Sequence, residues 1–200
     1  MDSILRVLGI GGSPRRGGNS EILLDEALRT AVALGASAEK IVLNDLSIAP
    51  CQECSGCDAT GRCIVQDEMQ DIYPRLRCAD VMVLATPVFF SGPSAQLKAM
   101  IDRTQACWVE RFVLKRPVSD TARMRRGLLL SVGARGGEAN FQAVEKIVRT
   151  FFYTQSVKYQ DGLFFPNVDH KAGILSVDGV MSRVQDAVQL TLSEVVAGSR

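Results

Sequence analysis

The sequence predicts a doubly wound α/β fold: five parallel strands in the order 2-1-3-4-5, with helices on both faces of the sheet. Three observations carry this. Apolar, branched runs of strand length alternate along the chain with segments whose apolar residues recur at helical spacing. The first, third and fourth of these runs are largely apolar, as strands covered on both faces are. The first of them, Ile4 to Ile10, passes through Gly9-Ile-Gly-Gly-Ser-Pro-Arg-Arg-Gly-Gly-Asn-Ser20 directly into a helix.

Leu24, Ala27, Leu28 and Ala31 form one face of that helix, and Gly35 is placed to end it. Ala38 to Leu43 reads as the second strand. Leu46 to Gln66 shows no periodicity and carries Pro50, Gly56, Gly61 and four cysteines. It is a long loop, and loops of that length inside a compact domain are usually functional. Asp67 and Gln70 are spaced as a helix N-cap and its reciprocal partner. Met69, Ile72, Tyr73 and Leu76 give an apolar face, which Pro74 is expected to split into a turn and a short helix.

Asp80 to Thr86 is the third strand. Pro93 is expected at the first position of the following helix, whose inner face is Leu97, Met100, Ile101 and Thr104. Trp108, Phe112 and Leu114 fall in a loosely patterned stretch. Arg126 to Val132 is the fourth strand, and Phe141, Val144, Val148 and Phe151 mark the next helix. Val157 to Phe165 is the fifth strand. Val177, Met181, Val184, Val188, Leu192 and Val195 form the closing helix. No repeat or linker interrupts the pattern, so residues 1–200 are read as a single domain with a cysteine-rich insert at about 47–66.

The chain has 200 residues, with 23 Lys and Arg against 22 Asp and Glu. A formal net charge of +1 gives no basis for binding nucleic acid or a membrane surface. No apolar run reaches membrane-spanning length, and the N-terminus lacks a charged-then-apolar leader. The expected location is the cytoplasm, where thiols stay reduced, so the six cysteines are read as thiols rather than disulfides.

In a fold of this order, ligands sit at the carboxyl ends of strands one, three and four. The loop after strand one aims backbone N–H groups and a helix N-terminus at that edge, and Ser13, Arg15, Asn19 and Ser20 add polar groups. It is not a Walker loop, because no Gly-Lys-Ser/Thr follows its glycines. Nor is it a dinucleotide fingerprint, because Ser13 and Pro14 replace the later glycine pattern and no acidic residue closes the second strand as expected. It suits a monophosphate, as in the flavodoxin type of fold. After strand three, Pro87, Val88, Phe89 and Phe90 offer a rigid proline, backbone amides and aromatic rings to a flat heterocycle. After strand four, Ser131 to Gly137 offers bare backbone, chiefly Ser131, Gly133, Gly136 and Gly137. Taken singly, these are an ordinary β–α turn, core aromatics and a helix-leading loop. Together they describe a site for flavin mononucleotide, FMN.

Cys51, Cys54, Cys57 and Cys63 have the spacing Cys-x2-Cys-x2-Cys-x5-Cys. A cubane iron–sulfur cluster needs four thiolates. A zinc site also uses four, usually as two separated Cys-x2-Cys pairs, and cysteines holding no metal are the third reading. Cys78 and Cys107 stand apart and read as small core residues. His170 reads as a surface residue, and no Ser/His/Asp set or paired carboxylates mark a catalytic group of the chain's own.

Several pieces in this order resemble the iron–sulfur flavoprotein branch of the NADPH-dependent FMN reductase family. They are Gly12-Ser13-Pro14-Arg15 with Gly18-Asn19-Ser20, the four cysteines followed by Asp67-Glu68-Met69, and Thr86-Pro87-Val88-Phe89-Phe90. Lys98 with Ile101-Asp102-Arg103 and the loop Gly133 to Gly137 complete the match, which covers essentially the whole chain. The resemblance implies a flavodoxin-like fold, bound FMN, a homodimer or homotetramer, and a [4Fe–4S] cluster near the flavin. It implies electrons arriving from a ferredoxin-like donor or NAD(P)H and leaving to a small-molecule acceptor. It assigns the phosphate to Ser13, Arg15, Asn19 and Ser20, the ring to Pro87, Val88, Phe89 and Phe90, and the cluster to Cys51, Cys54, Cys57 and Cys63. The family often has Tyr where Phe89 stands and Thr where Ser20 stands. Two other functions remain open: an NAD(P)H-dependent reductase of flavins, quinones or azo compounds with bystander cysteines, and a flavodoxin-type electron carrier. The near-neutral charge argues against the carrier.

Overall fold

The computed structural model of the chain describes residues 4–134 and 137–198. Its elements are β1 (Arg6–Gly11), α1 (Asn19–Ala33), β2 (Ser37–Val42), α2 (Met69–Cys78), β3 (Val81–Pro87) and α3 (Ala95–Arg103). These are followed by α4 (Gln105–Trp108), β4 (Arg125–Val132), α5 (Glu138–Thr154), β5 (Val157–Phe165) and α6 (Val180–Ala197). The strands form one sheet in the order β2-β1-β3-β4-β5, and every neighbouring pair is parallel. The expected order is therefore the observed one.

Side chains alternate across the sheet, and each face has its own core. Val7, Val81, Val83, Ala85, Leu128 and Leu130 pack against Leu24, Ala27 and Ala31 of α1 and Val184, Val188 and Val195 of α6. On the other face, Leu8, Ile10, Met82, Leu84 and Leu129 meet Ile72 and Leu76 of α2, Met100 of α3, and Val144, Val148 and Phe151 of α5. Each fully buried side chain of this size contributes roughly 1.5–3 kcal/mol, so the sheet and its helices form a firm platform. The platform brings the ends of β1, β3 and β4 together at one edge.

The local departures from the sequence expectation have physical causes. Pro74 does not divide its segment, and α2 runs through it from Met69 to Cys78. The proline removes only the bond to the Gln70 carbonyl one turn back, while Met69, Ile72 and Leu76 hold both halves against the sheet. Asp67 and Gln70 do not form a capping box. Glu68 takes the cap position, and the Gln70 amide donates instead to the carbonyls of Val65 (2.6 Å) and Cys63 (3.1 Å). Pro93 is not the first helical residue of α3. Ser94 is its cap, and its Oγ accepts from the Leu97 amide. The loose stretch around Trp108 and Phe112 is helical, with α4 continuing into a π-helical turn at Val109–Val113. There the Phe112 ring stacks on Tyr153, centroids 5.5 Å apart. Val177 precedes α6, following a 3-10 turn at Gly173–Ser176.

From Leu46 to Glu68 the chain has turns but neither strand nor helix, as the missing periodicity leads one to expect. Among the described residues, no helix is long and apolar enough to cross a membrane.

Candidate functional site

A cleft of about 180 Å³ opens at the carboxyl edge of the sheet. Ser13, Arg15, Gly18, Asn19 and Ser20 line one end, Pro87, Val88 and Phe89 the middle, and Val132 and Ala134 the far side. The three loops singled out in the sequence therefore meet. Val168 and Asp169, beyond β5, add a wall that no sequence signal indicated.

The phosphate-type loop owes its shape to its own backbone. Ser13 Oγ accepts from the Arg15 amide (3.1 Å) and donates to the Arg15 carbonyl (3.2 Å). Gly18 precedes α1 in extended conformation. A Cβ there would lie 2.8 Å from the Arg15 carbonyl, and one at Gly12 would lie 2.8 Å from Leu97 Cβ. Only hydrogen fits at either place. The first-turn amides of α1 have no carbonyl partner within the helix and point at the cleft with the dipole's positive end.

The two arginines of the loop divide their work. Arg16 pairs with Glu21 and Asp45, whereas Arg15 is exposed at the cleft mouth. Burial alone would raise the Glu21 carboxyl, but hydrogen bonds from Lys40, the Gly17 amide and Arg16 bring it below its ordinary value. Ser20 is buried on the cleft wall. The Asn19 side chain bridges two loops: its Nδ2 donates to the His170 carbonyl (2.8 Å) and its Oδ1 accepts from the Ile174 amide (3.2 Å). What it can offer the cleft is its backbone N–H. His170 is exposed, as expected.

The second loop is fixed by the Val88 amide donating to Val132 (2.8 Å) and by paired backbone bonds between Phe89 and Gly92. Phe90 and Ser91 occupy the hairpin tip with φ of +48° and +60°. Phe89 borders the cleft, while Phe90 points into solvent and does not line it. In the third loop, Gly133 donates to Phe165 and accepts from Val168, and Gly137 precedes α5. The Ser131 side chain is buried, with Oγ lacking a hydrogen-bond partner among the described residues. Gly136 lies outside the described residues. Ser94, unnoticed in the sequence, ties the first two loops: its Oγ donates to the Gly12 carbonyl and its amide donates to Thr86 Oγ1.

The four clustered cysteines line a second cavity, of about 190 Å³, together with Ile64, Val65, Arg103 and Gln105. Glu53 and Ser55 flank Cys54 in the left-handed region, with φ of +51° and +58°. Such turns are uncommon away from glycine and curl the segment around the cavity. Cys51 and Cys54 are exposed, and Cys57 and Cys63 are half-buried. Burial and the Asp58 carboxylate push the Cys57 thiol above its ordinary value, so a thiolate there calls for a positive partner. Among the described residues, no group of three His, Cys, Asp or Glu side chains is drawn tightly enough for a single metal ion.

This segment is held by side chains. Arg103, 1% exposed at the end of α3, donates through Nη1 to the Ala49 carbonyl (2.8 Å) and Asp67 Oδ2 (2.5 Å). Its Nη2 donates to the Val65 carbonyl (3.3 Å) and Asp67 Oδ1 (3.1 Å). Asp67 in turn accepts from the Ala49 and Met69 amides. Burial would raise the Asp67 carboxyl, but Arg103 and those amides hold it below its usual range. Burial would likewise lower the Arg103 guanidinium, but Asp67 and then the Cys63 sulfur raise it. The sequence did not signal these roles: Arg103 entered only as part of the family resemblance, and Gln70 as the partner in a capping box. Cys107 is buried, and burial pushes its thiol up to about 11, which fits a core residue. Cys78 is half-buried, with Sγ 3.9 Å from Asp120, so the core reading does not extend to it.

The family model described as NADPH-dependent FMN reductase matches residues 5–164. An iron–sulfur flavoprotein of Methanosarcina thermophila is 32% identical over 143 residues, 72% of this chain and 71% of that protein. One of Archaeoglobus fulgidus is 30% identical over 162 residues, 81% of this chain and 79% of that protein. An NAD(P)H:quinone oxidoreductase from Methanothermobacter marburgensis superposes with a TM-score of 0.69 at 14% identity, covering 94% of this chain and 98% of the other. The Trp repressor binding protein of Bacillus subtilis gives 0.63 at 22% identity, covering 90% and 99%. At those identities, the two structures speak to the fold alone. The relatives, the matched family model and the three-loop cleft agree: the chain belongs to the NADPH-dependent FMN reductase family, on its iron–sulfur flavoprotein branch, and is an FMN-dependent oxidoreductase.

Proposed function

We propose that this flavoprotein carries a [4Fe–4S] cluster beside its FMN and passes electrons from a reduced ferredoxin-like carrier or NAD(P)H to a small acceptor. The observation that carries the reading is the cysteine cavity. Four thiols line one space, although among the described residues no three such side chains are drawn together to hold a metal ion. A four-iron cubane accepts one thiolate at each iron, and the four thiols along one loop supply that number. FMN exchanges one or two electrons and a cluster exchanges one at a time, which lets the pair split or collect electron pairs.

In this reading the backbone amides of α1, with Ser13, Arg15 and Ser20, hold the phosphate, and Asn19 contributes its N–H. Pro87, Val88 and Phe89 border the ring. Gly133 and Gly137 supply backbone on its other side, with the buried Ser131 at the end of β4; the role expected of Gly136 falls outside the described residues. Phe90, directed outward, is available to a second subunit of a dimer or tetramer. The chain's residues bind and orient, and no proton-transferring side chain is required of them.

Iron and acid-labile sulfide, measured on protein purified without oxygen, test the proposal. About four of each per chain are expected; zinc in their place, or markedly less iron, overturns it. A second reading is an NAD(P)H-dependent reductase without a cluster, consistent with the described residues drawing no three such side chains together for a metal ion. That reading predicts NADPH oxidation undiminished in Cys54→Ser, whereas the cluster reading predicts that turnover with a ferredoxin-like donor is lost.

A further inference from the structure

Arg103 makes more bonds than closure of the cysteine segment requires, and one of its donors is left over. Nη1 and Nη2 are both engaged, with Ala49, Val65 and Asp67. Its Nε is buried and has no hydrogen-bond partner among the described residues. Buried donors are rarely left so, and this one sits on a side chain 1% exposed that lines the cavity of the four cysteines. Cys63 lines the same cavity as the guanidinium. A positive, rigid, fully buried group therefore faces a space lined by sulfur.

We infer that Arg103 is a positioning residue that also tunes the cluster, its Nε donating to a cluster-bound sulfur while its two terminal nitrogens hold the segment closed on Asp67. The inference rests on the cluster reading above. Its physics is electrostatic. When the cluster takes up one electron, negative charge on its sulfurs grows, and a fixed cation with an N–H directed at them favours the reduced state. Arg103 thus raises the cluster's reduction potential, and Asp67, which neutralises part of that cation, lowers it. Lysine or a solvent-exposed arginine could not do both jobs, because the geometry uses the planar fork on one side and the inner nitrogen on the other.

The test is a redox titration of the holoprotein followed by the electron paramagnetic resonance signal of the reduced cluster. Wild type, Arg103→Gln and Asp67→Asn are compared, with iron and FMN content measured on each. The expected result is two shifts of opposite sign: Arg103→Gln to a more negative cluster potential and Asp67→Asn to a more positive one, with FMN content unchanged in both. A purely structural role moves both variants the same way. Equal loss of iron from the two, or cluster potentials matching wild type, overturns the inference. Where Arg103→Gln does not retain iron, Arg103→Lys takes its place: without the Nε–H donor its cluster potential is expected to fall, whereas a loosened, more hydrated loop would raise it and overturn the inference. Wild-type protein without iron overturns the cluster reading and this inference with it, whereas iron present with unmoved potentials overturns the inference alone.

Discussion

The two cavities of this protein are built by opposite means. The cleft at the sheet edge takes its shape from backbone: ends of parallel strands, the first turn of α1, and amide–carbonyl bonds such as Val88 to Val132. Its walls would persist after most single side-chain changes. The cysteine segment, Leu46 to Glu68, has no strand or helix and is held by a few side chains, chiefly its own Asp67 with Arg103 and Gln70 reaching in from outside it. Secondary structure gives a site whose form is intrinsic. Side-chain tethers give one whose form depends on two or three residues and on the ligand that fills it.

The contrast breaks most readily at Asp67. Asp67→Ala leaves the Arg103 guanidinium buried without its counter-charge, and removing one partner of such a pair costs about 3 kcal/mol. Thermal unfolding reads this as a large drop in Tm, while FMN binding stays close to wild type. A drop of under about 1 kcal/mol, the range of exposed pairs, means that the segment does not depend on the tether. The converse change is Gly18→Ala, whose Cβ would lie 2.8 Å from the Arg15 carbonyl. The expected outcome is FMN affinity weakened by tenfold or more, about 1.4 kcal/mol, with iron content unaltered. Equal loss of FMN and of the proposed cluster would erase the distinction between the two regions.

Ser94→Ala removes the cap of α3 and its bond to Gly12. About 1 kcal/mol of stability is expected to be lost, visible in urea denaturation. The smallest effect is that of pH on the α1 entrance. Glu21 is held below its ordinary value of 4.5 because Lys40, the Gly17 amide and Arg16 outweigh burial. A depressed carboxyl stabilises the fold above its unfolded value, and that contribution disappears as pH falls through the lower, folded value. Glu21→Gln should flatten the decline of Tm below about pH 4.5; an unchanged acid limb assigns the decline to other carboxyls.

What the sequence disclosed follows the same division. The central strands were legible because both faces of the sheet bury apolar residues there, and the edge strand Val157 to Phe165, though interrupted by polar residues, was also read at its observed limits. The cleft loops were legible because glycine, proline and hydroxyl residues mark strand ends locally. The tethers were not, because Arg103 and Asp67 lie 36 residues apart and no local period links them. Gln70 fitted a capping box and serves the cysteine segment instead. Val168 and Asp169 reach the cleft only because the chain turns back after β5, a route with no signature of its own.

Helix α3 joins the two regions end to end. Ser94 precedes it, fastened to Gly12, and Arg103 closes it, fastened to Ala49 and Val65. Its nine residues therefore work as a ruler, about 14 Å long at 1.5 Å per residue. One residue added or deleted would rotate its far end by about 100°, carrying the guanidinium away from the sulfurs. The spacing between Ser94 and Arg103 is thus a fixed length of the molecule, and natural changes in chain length belong in the surface turns on either side of it.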